Sequence, residues 1–399
     1  MANPATAPTP VDVELGAPAP SPMKRLLSLD VVRGITIAFM IMVNNNGGPG
    51  SWRFMNHAAW NGLTPTDLVF PTFVFVVGIS VVFAFEARLA RGAKRAQLAW
   101  HTVQRAAILI LFGIVVNSFP TFELVHMRFY GVLQRIGLCY LVVGLFYLWD
   151  SRASTKVVAL VASLVGYWVL VRWTPIPGVG MPGRDVPFMD MTQNLVSWID
   201  RHLFPYHLYL YSPDHNVRDP EGLLSDLPAI GTALMGVLTG LWLRTARTSA
   251  AKALGLGAAS VSSLALGYLW SLWFPLNKNM WTSSFVLVAA GYSLALLTFA
   301  FWAVEVQGWR KGWTWAWLVF GSNAIAAYMI SELLPGALDH VSIATGPGRH
   351  IDLSDWIFGH VFAHIPNPHW AAFAYSVSFT AVCFLPVWVL YRKKIFIKL

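Results

Sequence analysis

Residues 67–85 read DLVFPTFVFVVGISVVFAF, and after Asp67 eighteen consecutive residues carry no charge. A bilayer's hydrocarbon core is crossed by about 20 apolar residues of helix, so this run reads as a transmembrane span. Working outward, similar apolar segments cover 31–45, 106–117, 131–149, 157–171, 227–243, 253–274, 282–303, 313–334 and 371–391. The segments at 31–45, 106–117 and 157–171 are short and are expected to draw in flanking polar residues. The expected fold class is therefore all-α: a polytopic integral membrane protein with about ten transmembrane helices.

Composition agrees. Of 399 residues only 12% are charged and 56% are hydrophobic, against about 25% charged in a soluble domain. A soluble enzyme, a nucleic-acid-binding protein and a disordered regulator are excluded. The net charge of +9 reads as basic loops facing the cytoplasm. Eighteen of the 28 Lys and Arg residues fall before the first segment, after the last, or in alternate loops; eight fall on the other side. Both termini are thus expected in the cytoplasm, with the longest loop, 173–226, external. Residues 1–23, rich in Pro and Ala, read as a disordered cytoplasmic tail without a cleavable signal, and residues 24–399 as the transmembrane domain. Cys139 and Cys383 lie in separate apolar runs, which suits packing and not a disulfide framework or zinc site.

Polar residues near spans are costly and mark functional candidates. They are densest around the first loop. Arg33 reads either as an anchor paired to Asp30 or as an anion-binding residue, and Arg135 in GVLQRIGLCY reads likewise. His57 lies in a Gly-, Pro- and Asn-rich loop, and Asp67 opens the next helix beside Pro65. A carboxylate near a His orients the imidazole and raises its basicity, although Asp67 also reads as a helix cap. The sequence lacks HExxH, GxSxG and P-loop patterns and has no Rossmann fingerprint, which needs its glycines between a strand and a helix, so hydrolase, ATPase and dehydrogenase readings have no support and no metal is expected.

The stretches RLLSLDVVRG (25–34), HAAWNGLTPTDLVFP (57–71), GVLQRIG (131–137), DPEGLLS (219–225), PLNKNMW (275–281), GSNAIAAY (321–328) and the ending YRKKIFIKL together resemble the heparan-α-glucosaminide N-acetyltransferase family. The resemblance runs in order from about residue 24 to the end. It implies a transmembrane acetyltransferase that takes the acetyl group from cytosolic acetyl-CoA and gives it to a glucosamine-type amine across the membrane. It also implies His57 as the active-site His and Asn44, or alternatively Asn45, as the Asn that follows the first span. On this reading Asn44 serves the developing oxyanion and Asp67 orients His57. Arg33, Arg135 and Lys393 hold the CoA phosphates, while Asn61, Asp219, Glu221 and Glu332 contact the sugar. Two departures stand out. The lysosomal form has an extra luminal domain and one more span ahead of RLxSLD, and it has a His where this chain has Ser331.

Direct transfer and transfer through an acetylated His57 are both compatible with these residues. An inner-membrane amino-sugar permease and an O-acetyltransferase of an envelope glycan are the alternatives from other classes. The expected setting is the bacterial inner membrane, with the amino sugar and the lipid bilayer as partners and no nucleic acid. The small residues of 253–267 would permit close helix packing in a homodimer.

Overall fold

The computed structural model describes residues 26–397 except 124, 126, 210–216 and 347–348. The tail expected at 1–23 lies outside the described residues. The chain is an all-α multi-pass membrane protein. Its long helices are α1 (Leu27–Asn44), α2 (Val69–Leu89), α3 (Arg95–Ser118), α4 (Val132–Trp149) and α5 (Ala153–Trp173), then α7 (Asp226–Leu243), α8 (Ser249–Trp270), α9 (Ser283–Phe301) and α13 (Pro368–Arg392). Shorter helices are α6 (Leu195–Leu203), α10 (Thr314–Ser322), α11 (Ala324–Asp339) and α12 (Leu353–Ile357). One antiparallel hairpin, β1 (Ser342–Gly346) and β2 (Arg349–Asp352), precedes α12.

Among the described residues nine helices are long and apolar enough to cross a membrane, and the bent pair α10–α11, counted as one broken span, would bring the number to ten. The short segments extend as expected: α3 begins at Arg95 and α5 at Ala153. The segment expected as one straight span at 313–334 is instead two helices meeting at 79°. Both halves are apolar, so the sequence pattern hides the break. Its residue is Asn323, whose side chain is bonded to the C-terminal segment: Nδ2 donates to the Ile395 carbonyl at 3.1 Å and Oδ1 accepts from the Ile397 amide at 2.9 Å.

In the bundle, α1, α2, α7 and α9 are 61–67% buried by residue, whereas α3, α5, α8 and α13 are only 22–28% buried. The first four form the inner set and the others present apolar surface to lipid. The inner packing is close where α1 crosses α10. A β-carbon on Gly34 would sit 1.8 Å from the Trp317 carbonyl oxygen, and one on Gly321 would sit 2.0 Å from that of Asp30. Several hydroxyls inside the bundle donate to carbonyls one turn back, as Thr36 does to Val32 at 2.7 Å and Ser293 to Ala289 at 2.8 Å, which suits a medium without water. The first turn of α1 is capped by the Glu305 carboxylate, which accepts from the amides of Leu27 and Ser28 at 3.0 and 3.3 Å. An anion is favoured at that end of a helix.

Candidate active site

The loop between α1 and α2 ends in a capping box. Thr64 caps the helix start, Pro65 follows at the first position, where its missing N–H costs nothing, and Asp67 closes the box. Asp67 is fully buried. Its Oδ2 accepts from the Thr64 amide at 2.9 Å, the Thr64 hydroxyl at 3.0 Å and the Ala58 amide at 3.2 Å. Its Oδ1 is left to face His57 Nδ1 at 2.7 Å. An ionised carboxylate only accepts hydrogen bonds, so the neutral ring carries its proton on Nδ1 and keeps a lone pair on Nε2. The cap and the imidazole orienter are one residue. The His57 side chain is 48% exposed, so that lone pair is within reach of a substrate.

A second element reaches the ring from far along the chain. Lys278 Nζ lies 3.4 Å from Nδ1 and 3.2 Å from Nε2. Lys278 sits in the turn 275–282 ahead of α9, which is held rigidly. The Asn277 amide and carbonyl bond to the Thr282 hydroxyl and amide at 3.1 Å each, and the Thr282 hydroxyl donates to the Pro275 carbonyl at 2.9 Å. Trp281 adopts φ +50°, an unfavourable region for a bulky side chain. Its full burial, its indole N–H bond to the Thr232 hydroxyl at 3.1 Å and the Arg135 guanidinium 4.9 Å above its ring hold it there. Asn277 Nδ2 donates to Asn61 Oδ1 at 3.1 Å, and the Gly62 amide donates to the Leu276 carbonyl at 2.8 Å. These two bonds dock the Lys278 turn onto the His57 loop. Burial pushes the imidazole pKa below its ordinary value and the Lys278 charge pushes it further, with Asp67 opposing only in part. Burial likewise lowers the Lys278 ammonium, against the charges of Glu221 and Asp67.

Beside this pair lies a buried ionic cluster. Arg128 makes a two-pronged bond to Asp219, at 2.7 and 2.6 Å, and a further bond to Glu221. Arg135 bonds Asp226 at 2.7 Å and the Gly222 carbonyl at 3.0 Å. Burial works against an ionised Glu221, but the charges of Arg128, Lys278 and Arg135 hold its carboxyl below the usual range. The Glu221 charge favours the protonated form of His57, as a minor influence beside burial, Lys278 and Asp67.

The structure thus brings His57, Asp67 and Asn61 together, with Asp219, Glu221 and Arg135 in the adjoining cluster. Asn44 stands apart from the dyad: its Nδ2 donates to Glu332 Oε1 at 2.9 Å. Asn45 turns back to cap its own helix, donating to the Ile41 carbonyl at 3.1 Å. Arg33 is far from Arg135. It bonds Asp30 at 2.9 Å and Ser80 at 3.1 Å, and eleven residues of helix place it ~16 Å from Asn44 along the axis. Lys393 follows α13 at the same end of the bundle. There a cavity of about 680 Å³ opens between the start of α1 and the end of α13, and the cations lining it are Arg392 and Lys394, beside Trp315, Trp388 and Tyr391. Lys278, Arg392 and Lys394 are absent from the sequence-derived candidates. Lys278 carried one signal: it is the single Lys among the eight basic residues of the external side, and it lies in the matched PLNKNMW motif.

Comparison with known proteins bears out the resemblance. The family model described as heparan-alpha-glucosaminide N-acetyltransferase, catalytic, matches residues 25–192. The human heparan-alpha-glucosaminide N-acetyltransferase is 29% identical over 94% of this chain and 60% of its own length. The mouse protein of the same name is 27% identical over 95% of this chain and 61% of its own. The chain therefore spans about three fifths of these relatives.

Proposed function

We propose that the protein is an acetyl-CoA-dependent N-acetyltransferase that moves an acetyl group through the membrane to the amine of a glucosamine-type sugar. The observation that carries this reading is the 2.7 Å contact between His57 Nδ1 and buried Asp67. It makes Nε2 a proton acceptor near neutral pH. Nε2 takes the amine proton as nitrogen adds to the thioester carbonyl carbon. The C–N bond forms, the C–S bond breaks with its electron pair going to sulfur, and the imidazolium returns the proton to the departing thiolate.

The donor's nucleotide end suits the opposite cavity, where Arg392 and Lys394 offer charge to phosphates and Trp315, Trp388 and Tyr391 offer faces to a base. The excess of basic residues on that side favours its being cytoplasmic. The pantetheine arm then runs toward His57 along α1, whose 18 residues span roughly 27 Å. The Asn44–Glu332 pair and the Asp219–Glu221 cluster form the polar walls met by the sugar.

Purified protein with labelled acetyl-CoA and a panel of glucosamine, N-acetylglucosamine and their oligomers tests this. Amide formation on glucosamine is expected. Ester formation on N-acetylglucosamine would assign an O-acetyltransferase instead, and transport of unmodified sugar by vesicles without acetyl-CoA would assign a permease.

A further inference from the structure

We propose that Lys278 is the electrophilic catalyst of this transfer: its ammonium holds the thioester carbonyl oxygen and the oxyanion that forms when the amine adds. The proposal rests on the transferase reading above. Three observations carry it. Lys278 Nζ lies 3.2 Å from Nε2, the one ring nitrogen left for a substrate. The other cations around it are taken, Arg128 by Asp219 and Glu221, and Arg135 by Asp226, whereas Lys278 makes no ion pair among the described residues. The donor expected for the oxyanion, Asn44, is turned to Glu332.

Geometry then orders the events. A nucleophilic nitrogen hydrogen-bonded to Nε2 puts the carbonyl carbon one bond further out and the carbonyl oxygen one bond beyond that. An ammonium already beside Nε2 reaches that oxygen by rotating its own flexible stem. In the free protein the Lys278 ammonium lies over the imidazole ring, 3.4 Å from Nδ1 and 3.2 Å from Nε2, which leaves the in-plane Nε2 lone pair open. The substrate amine takes that lone pair, and the ammonium beside it turns to the oxygen. As the amine nitrogen bonds to carbon, the C=O π electrons move to oxygen and rest against Lys278. When the C–S bond breaks they return, and no proton need leave Lys278. The turn around Trp281 fixes the Lys278 backbone, so only the side-chain stem moves to bring the cation to the oxygen.

A structural rival exists: Lys278 as a counter-charge for Glu221 and Asp67. The test separates the two. Lys278→Met is expected to lower kcat by roughly 10²–10³-fold with both KM values within a few-fold of wild type. It should also move the acid limb of kcat/KM up by about one pH unit, because the imidazole loses a neighbouring cation. Lys278→Cys should be similarly slow and should regain activity on alkylation with 2-bromoethylamine, which rebuilds the ammonium; the native Cys139 and Cys383 are buried. A Lys278→Met protein within threefold of wild-type kcat overturns the proposal. So does a kcat loss that tracks melting temperature, leaves the acid limb in place and is not rescued by alkylation. If wild type acetylates no amine at all, the transferase reading fails and the role of Lys278 with it. That result is distinct from an active enzyme indifferent to Lys278.

Discussion

Asn277 donates its side-chain N–H to the side-chain carbonyl of Asn61 across 216 positions of sequence, at 3.1 Å, and so ties the turn bearing Lys278 to the loop bearing His57. Asn277 is fully buried, and a buried amide deprived of its acceptor costs about 1–3 kcal/mol. Asn61→Ala is therefore expected to lower stability by that amount and to reduce kcat by ten-fold or more as Lys278 and His57 drift apart. Denaturant or thermal melts and steady-state kinetics on one preparation check both. An Asn61→Ala protein with normal kcat but a much raised sugar KM would return Asn61 to a substrate contact.

His57→Asn keeps a polar side chain but no proton acceptor, and Asp67→Asn keeps the shape but frees the ring to adopt the other tautomer. Each is expected to cut kcat by roughly 10²–10⁴-fold. Donor binding, measured by isothermal titration with acetyl-CoA, should stay near wild type, because the cavity that suits the nucleotide lies at the other end of the bundle. Asp67→Asn should also lose stability, since Oδ2 serves the Thr64 and Ala58 donors. Loss of donor binding in His57→Asn would mean that the imidazole builds the donor site and does not act in the chemical step.

The histidine and its partner were legible from 57–71, because one short motif carries both residues and the capping signal that buries Asp67. Lys278 was not legible, because it reaches the ring only through tertiary docking of a turn 221 positions away. The break at Asn323 escaped for a different reason. Hydropathy reports how apolar a segment is, not its direction, and α10 and α11 are both apolar. Arg135 and Arg33 looked alike as span-edge arginines. Successive spans run in opposite directions, so the start of α4 lies at the end where α1 finishes, and Arg135 serves the ionic cluster there.

The pH dependence follows from the depressed His57 pKa. Only the neutral imidazole accepts a proton, so kcat/KM should fall as pH drops through that pKa. Burial and Lys278 place it below the ordinary 6.5, and the acid limb should lie below that value too. Stability shares the sign. The unfolded chain binds the proton more readily than the folded one, so this contribution is present above about pH 6.5 and is lost as pH falls further. A kcat/KM profile measured across neutral pH, with an acid limb above 6.5, would contradict the arrangement of charges around the ring.

The cavity proposed for the donor gives a contrast among three consecutive residues. Arg392 and Lys394 line it, whereas Lys393 does not. A charge-assisted bond to phosphate is worth about 1.5–3 kcal/mol, which is roughly 10–100-fold in binding. Arg392→Ala and Lys394→Ala should each raise the acetyl-CoA KM toward that range. They should leave kcat at saturating donor nearly unchanged, because a remote phosphate contact is made equally in ground and transition states. Lys393→Ala should do little to either constant. Dephospho-CoA derivatives refine the assignment: if one of the two cations holds the 3′-phosphate, its Ala variant should lose discrimination between acetyl-CoA and acetyl-dephospho-CoA while the other keeps it. Equal effects of all three substitutions would show only a diffuse positive field. A Lys393→Ala effect larger than its neighbours' would move the phosphate site outside the cavity, onto the exposed face after α13.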